Sequence, residues 1–164
     1  MKNRKSTLYL TRGAVIAALY VALTFVSSLM GLSSGAIQLR LSEALTILPV
    51  FFPEAIVGLY IGCIIANLLT GAVIWDVIFG SLATLIGAIF AYLLRKLPRK
   101  LICLATIPTV LANAIIVPFV IIFAYGATDA YGFLFLTVGL GEVLSATVLG
   151  TLLYRLLLRT RVTK

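Results

Sequence analysis

Seven side chains in this sequence have the chemistry to recognise a polar ligand: Arg40, Glu43, Asn67, Trp75, Asp76, Asn113 and Glu142. Their spacing relates three of them. Asn67 lies thirteen positions beyond Glu54, Asn113 thirteen beyond Lys100, and Glu142 thirteen before Arg155. At ~1.5 Å per helical residue, each would stand roughly 20 Å from one edge of a membrane, with Arg40, Glu43 and Asp76 above them. Polar side chains at bilayer depth are costly and face a cavity or a packed contact. The expected site is therefore a pocket open to the outside, lined by two amides, two or three carboxylates and an aromatic ring. Hydrogen bonding between helices would explain the asparagines equally well, and the bland alternative for Arg40 and Glu43 is an interfacial pair that anchors the loop. Glu142 favours the pocket, since an isolated carboxylate at that depth needs a partner or a task. Gly139 and Gly141 beside it allow a flat ligand or a neighbouring helix to approach the backbone. Asp129 is expected in solvent, and Glu54 as a helix-start residue favoured by the helix dipole.

Other chemistries are excluded by what is missing. The sequence has no histidine, which removes imidazole zinc sites and Ser-His-Asp triads, and its two cysteines, Cys63 and Cys103, have no CxxC spacing. No phosphate loop of the GxxxxGK[ST] kind occurs, so energy for any transport must come from a gradient or a partner. No cofactor or metal is expected. Binding or transport becomes the default function.

The elements that position these residues are membrane helices. Of 164 residues, 62% are apolar and 11% charged, and the mean hydropathy of +1.19 lies far outside the soluble range. The net charge of +8 belongs to the membrane edges rather than to nucleic acid. Twelve of the thirteen basic residues fall in three clusters: Lys2, Arg4, Lys5 and Arg12; Arg95, Lys96, Arg99 and Lys100; Arg155, Arg159, Arg161 and Lys164. The positive-inside rule places all three clusters, and both termini, in the cytoplasm. An even number of spans must then separate neighbouring clusters. Leu101–Thr128 and Tyr131–Tyr154 supply two. The 82 residues from Gly13 to Leu94 supply four if some are short: about Leu8–Met30, Ser42–Phe52, Ala55–Thr70 and Trp75–Leu94. Outer loops are expected at Gly31–Gly35 and Gly126–Gly132, with Trp75 and Tyr131 in the outer aromatic belt. The first helix lacks a persuasive cleavage site and is read as retained. The expected fold is an all-α integral membrane protein: one domain, residues 1–164, of six transmembrane helices with short basic cytoplasmic tails. The basic clusters also suit anionic lipid headgroups.

On the first helix Ala14, Ala18 and Ala22 recur at spacing four, with Gly13 and Ala17 as an adjoining small pair. Such a stripe permits close packing, either inside the bundle or against another membrane protein.

Four segments in order carry a family resemblance: Ile37-Gln38-Leu39-Arg40-Leu41-Ser42-Glu43-Ala44-Leu45-Thr46, the run from Gly58 to Leu69 containing Ala66-Asn67, the run from Trp75 to Thr84 opening Trp75-Asp76, and Val138-Gly139-Leu140-Gly141-Glu142. Together, over about Arg12 to Tyr154, they resemble the QueT family of queuosine-precursor transporters, substrate-binding (S) components of energy-coupling factor (ECF) transporters. The resemblance implies a six-helix S component that captures a micronutrient from outside. It implies partners as well: a transmembrane T component and two cytoplasmic ATPases that provide the energy. In such components an Ala-x-x-x-Ala motif on the first helix contacts the T component, and Ala14, Ala18 and Ala22 match it. The implied substrates are 7-deazaguanines such as preQ0, preQ1 or queuine. A guanine-like edge offers ring N–H and amino donors that a carboxylate accepts as a bidentate pair, and its carbonyl needs a donor such as an amide or Arg40. Glu142 or Glu43 suits that edge, Asn67 and Asn113 the amide contacts, and Asp76 a cationic aminomethyl substituent. Trp75 or a nearby tyrosine suits stacking on the ring.

Four alternatives remain open at the level of sequence. An S component for a different vitamin would have the same build. A gradient-driven permease would use Glu142 for ion coupling. A membrane enzyme would need Asp76 and Glu142 as acid and base, without a nucleophile or metal cluster to assist them. An assembly protein would bind no saturable ligand.

Overall fold

The computed structural model describes residues 2–32 and 38–160. Ser33–Gly35 of the expected outer loop, Ile37, Arg161 and Lys164 lie outside the described residues. The chain forms α1 (Lys2–Leu29), a 3-10 segment (Leu41–Val50), α2 (Ala55–Leu69), α3 (Ile74–Leu93), α4 (Ile107–Tyr125), α5 (Tyr131–Glu142), a π-helical segment (Val143–Leu149) and α6 (Gly150–Arg159). A further 3-10 stretch, Arg99–Thr106, leads into α4, and α5, the π segment and α6 form one continuous rod. The described residues thus make six rods and no strand. Four rods are long and apolar enough to cross a membrane: Ser6–Leu29, Ile74–Lys96, Arg99–Tyr125 and Tyr131–Arg159. The other two, Leu41–Val50 and Ala55–Leu69, are the short ones.

Apart from the 3-10 rod, each rod buries one face and leaves large apolar side chains on the other. On α1, Ile16, Ala17, Tyr20, Thr24 and Ser27 are buried at helical spacing, while Leu8, Leu10, Val15 and Leu19 are exposed. That exposed surface would drive aggregation in water and suits a lipid surround.

The α1–α2 contact is set by glycine. A Cβ on Gly58 would lie 2.6 Å from the Gly13 carbonyl oxygen, and one on Gly62 would lie 2.9 Å from Tyr20 Cβ and 3.0 Å from Ala17 Cα. No side chain fits at either position, so the helices meet backbone to backbone. Gly13 and Ala17 are therefore absorbed by internal packing. Ala14, Ala18 and Ala22 remain exposed.

The 3-10 segment explains how so short a stretch can run deep into the bundle. At ~2.0 Å rise per residue against ~1.5 Å for an α-helix, ten residues reach ~20 Å. Ser42 to Pro49 are all buried, with α1, α3, α6 and the π segment packed around them. Three hydrogen bonds fasten its first residues to α1: Leu41 N–H donates to Ser27 Oγ at 2.8 Å, Thr24 Oγ1 donates to Ser42 Oγ at 2.9 Å, and the Tyr20 hydroxyl donates to Glu43 Oε1.

Charge separates the two ends of the bundle. Phe51 stacks on Tyr154 at 4.9 Å, and Ile47, Ile102, Ala105 and Tyr154 form one core cluster with Leu94, Leu97 and Leu158 against it. The turn after the 3-10 segment, the α3–α4 connection and the last turns of α6 therefore share one end. Arg12 joins it, pairing with Glu54 at 3.3 Å and lying over the Phe52 ring at 5.0 Å. Glu54 makes no side-chain cap on α2, so its carboxylate serves Arg12 in addition to standing at the helix start. Arg40 belongs to the opposite end.

Candidate functional site

Arg40 sits in extended backbone immediately before the 3-10 segment, and its guanidinium lies between the helices. Its Nη2 pairs with Asp76 Oδ2 at 3.5 Å. Asp76 occupies the first turn of α3, where a carboxylate also suits the helix dipole. The Tyr125 hydroxyl, at the end of α4, donates to the same Oδ2 at 3.3 Å and accepts from Val73 N–H at 3.3 Å. Asn67 Nδ2 donates to the Asp76 carbonyl at 3.2 Å, tying α2 to α3. These groups line a cavity of about 240 Å³ with Thr24 and Thr70. That is room for ~8 waters at ~30 Å³ each, and so for a small bicyclic ring.

On its other side Arg40 lines a narrow cleft with Gln38, Asn113, Val138 and Glu142, closed down to about 10 Å³. Gln38 and Val138 also line a third cavity of about 270 Å³, which reaches Asp129, Phe133 and Thr137 near the α4–α5 loop. Arg40 and Gln38 thus connect three spaces across the end of the bundle. Glu142 is 7% exposed and Glu43 only 1%. One oxygen on each of three carboxylates has no hydrogen-bond partner among the described residues: Glu43 Oε2, Asp76 Oδ1 and Glu142 Oε2. Such buried acceptors are few in folded proteins, and a donor from ordered water or from a ligand would satisfy each of them.

The structure brings Arg40, Asn67 and Asp76 around one cavity, and Arg40, Asn113 and Glu142 around the next. Glu43 lies just inside, facing Tyr20, and lines neither. The Arg40–Glu43 anchor pair considered for the interface does not form, because Asp76 takes the guanidinium and Tyr20 takes the carboxylate. Trp75 is placed elsewhere. It is 55% exposed, stacks on Phe79 at 6.0 Å and faces an apolar groove with Phe119 and Phe123. The reason is helical geometry: a step of one residue turns ~100°, so with Asp76 directed inward Trp75 faces out. The aromatic group in the Arg40 cavity is Tyr125.

Tyr125, Tyr20, Thr24 and Gln38 are site residues that sequence reasoning passed over. Tyr20 carried a usable signal, since it shares a helical face with Thr24 and Ser27, a polar stripe of spacing four and three. No group of three or more His, Cys, Asp or Glu that could hold a metal ion occurs among the described residues. The arrangement is one that binds: a guanidinium and amides that donate, carboxylates that accept, and a tyrosine ring.

A family model described as QueT transporter matches residues 10–159. A protein of Lactococcus lactis subsp. cremoris (strain MG1363), the queuosine precursor transporter QueT, is 44% identical over 73 residues, covering 44% of this chain and 43% of that protein. The chain therefore aligns with less than half the length of that relative. No solved structure matches the chain. With all but the two ends of the sequence matched, the chain belongs to the QueT transporter family.

Proposed function

We propose that this protein captures a queuosine precursor, a 7-deazaguanine, in the Arg40 cavity and delivers it to the cytoplasm as the S component of an ECF importer. The observation that carries the reading is the cavity itself: Arg40, Asn67, Asp76 and Tyr125 around about 240 Å³, in a chain of this family. Its donors and acceptors match a guanine-like edge, in which a carboxylate accepts the paired N–H groups and Arg40 or Asn67 donates to the carbonyl. Tyr125 supplies a ring for the flat heterocycle. Under the positive-inside rule the end bearing Arg12, Arg95 to Lys100 and Arg155 is cytoplasmic, so the cavity opens outside and both termini are inside. The T component and two ATPases supply the energy. Their contact on this chain is the exposed stripe Ala14, Ala18 and Ala22, which borders an open apolar groove between α1 and α2.

Calorimetric titration of the purified, detergent-solubilised chain tests the capture step, using preQ0, preQ1, queuine and guanine, with riboflavin and biotin as controls. Tight binding confined to 7-deazaguanines is the expected result. Binding of a control vitamin alone would make this an S component for another substrate. Uptake into liposomes by this chain without ATPases would make it a gradient-driven permease.

A further inference from the structure

We infer that the basic end of the bundle is a docking surface for an anionic phospholipid. Its phosphate sits among the cations of the α3–α4 connection and α6, and its acyl chains lie on the apolar faces beside them. The inference goes beyond substrate capture and does not depend on it. Six basic residues meet at this end: Arg95, Lys96, Arg99 and Lys100 from the connection, and Arg155 and Arg159 from α6. The two stretches are far apart in sequence and become neighbours through one core cluster, in which Ile102 and Tyr154 are buried and Leu94, Leu97 and Leu158 pack against them.

No carboxylate of the chain answers these six cations. The sequence has five acidic residues. Glu54 is taken by Arg12, Glu43, Asp76 and Glu142 stand with Arg40 toward the opposite end, and Asp129 lies in the α4–α5 loop. Among the described residues the ion pairs are those of Arg12 and Arg40. Like charges gathered on a packed core repel one another, and an anion from outside the chain relieves that repulsion. Arg95 is also held in place: its guanidinium lies 3.8 Å from the centre of the Tyr92 ring, and Nη1 donates to the Tyr92 carbonyl at 2.9 Å. A guanidinium carries five N–H donors, so the bond that orients it leaves a fork suited to phosphate oxygens.

The surface beside the charges distinguishes a lipid from a soluble anion. Leu152 and Leu156 are exposed and share one face of α6 with Arg155 and Arg159. Leu101 and Leu104, also exposed, follow directly on Lys100. An apolar wall that ends in cations fits a molecule with acyl chains and an anionic head. A free phosphate or an acidic protein surface would use the cations and leave the wall idle.

The test offers the detergent-solubilised chain an equimolar mixture of phosphatidylglycerol and phosphatidylcholine with the same acyl chains, at one ionic strength because salt screens such attraction. Native mass spectrometry reads which lipid stays bound, and thermal unfolding reads its effect on stability. Wild type should retain phosphatidylglycerol about tenfold over phosphatidylcholine, the weight of one or two basic contacts near an anionic surface. Its melting temperature should rise with phosphatidylglycerol and stay unchanged with glycerol 1-phosphate, the same anion without chains. The combined variant Arg95→Gln, Arg99→Gln and Arg155→Gln should lower the preference to within about twofold. The combined variant Lys2→Gln, Arg4→Gln and Lys5→Gln, which removes the same charge from the start of α1, should keep it. Equal retention of the two lipids by wild type overturns the inference and leaves these cations to an acidic protein partner or to membrane orientation alone. An equal rise with glycerol 1-phosphate overturns the lipid in favour of a soluble anion. Equal loss of preference in both variants overturns the placement, because net charge would then explain the binding. If the first variant does not fold, its three substitutions are measured singly, and an unchanged preference in all three overturns the placement as well.

Discussion

The Tyr20 hydroxyl donates to Glu43 Oε1 where both residues are 1% exposed, so neither group has water as a substitute partner. Removing one member of a buried hydrogen bond leaves the other to bear its full desolvation penalty, about 1–3 kcal/mol and more where the remaining group is charged. Tyr20→Phe keeps the ring and its packing against Leu59 and Cys63 and deletes only the donor. It should lower the melting temperature of the solubilised protein and weaken ligand binding several-fold, because Glu43 stands in the first turn of the buried segment that follows Arg40. An unchanged melting temperature together with unchanged affinity would show that the hydroxyl holds nothing in place. At this scale the sequence was informative where a residue type was out of place. Glu142, Asn67 and Asp76 were visible because charge and amide are rare inside apolar runs. Tyr20 and Tyr125 were not, since tyrosine is ordinary in membrane helices and only the fold reveals what its hydroxyl reaches. Trp75 was assigned to the site by its aromaticity, and the turn of α3 placed it on the outer face.

Among the elements, the α1–α2 pair is the one whose geometry depends on single atoms. Gly58 lets α2 approach until an added Cβ would lie 2.6 Å from the Gly13 carbonyl, and the obstacle is backbone, which cannot swing aside. Gly58→Ala should destabilise by about 1–3 kcal/mol, the usual cost of overpacking. Gly132→Ala, on α5 with nothing within 4 Å of the added carbon, should cost nothing measurable. Thermal unfolding of the two variants side by side checks this, and equal melting temperatures would mean that the helices separate freely. The rods themselves were legible as apolar runs between basic clusters, and their bounds fall close to those read from sequence. Their helix types were not legible. The 3-10 and π windings differ from α by one residue in the hydrogen-bond step, a difference that composition does not record. Leu41–Val50 gave only two hints, its shortness and Pro49, which has no N–H to donate. The π segment begins directly after Glu142, and π turns are frequent at functional sites.

Across the whole molecule, α1 is the element that meets both ends of the proposed transport task. Tyr20, Thr24 and Ser27 on one face hold the segment that carries Glu43 and follows Arg40. Ala14, Ala18 and Ala22 on the other face are exposed and border a groove of about 600 Å³ with Val57, Ile61 and Ile65. The two faces are distinct because residues 18 and 20 are ~200° apart around a helix. A bulky residue at position 18 therefore obstructs the groove without touching the Arg40 cavity. Gly13 and Ala17 are the pair packed against α2, whereas Ala14, Ala18 and Ala22 stay exposed, and small residues there would admit the proposed partner helix closely. Ala18→Trp should leave affinity for the ligand within about twofold of wild type while abolishing uptake in liposomes that contain the T component and both ATPases. Loss of binding as well as uptake would mean that the stripe is needed for the fold of this chain. Normal uptake would place the partner on another face, and the aromatic groove beside Trp75 and Phe119 is the next surface to obstruct.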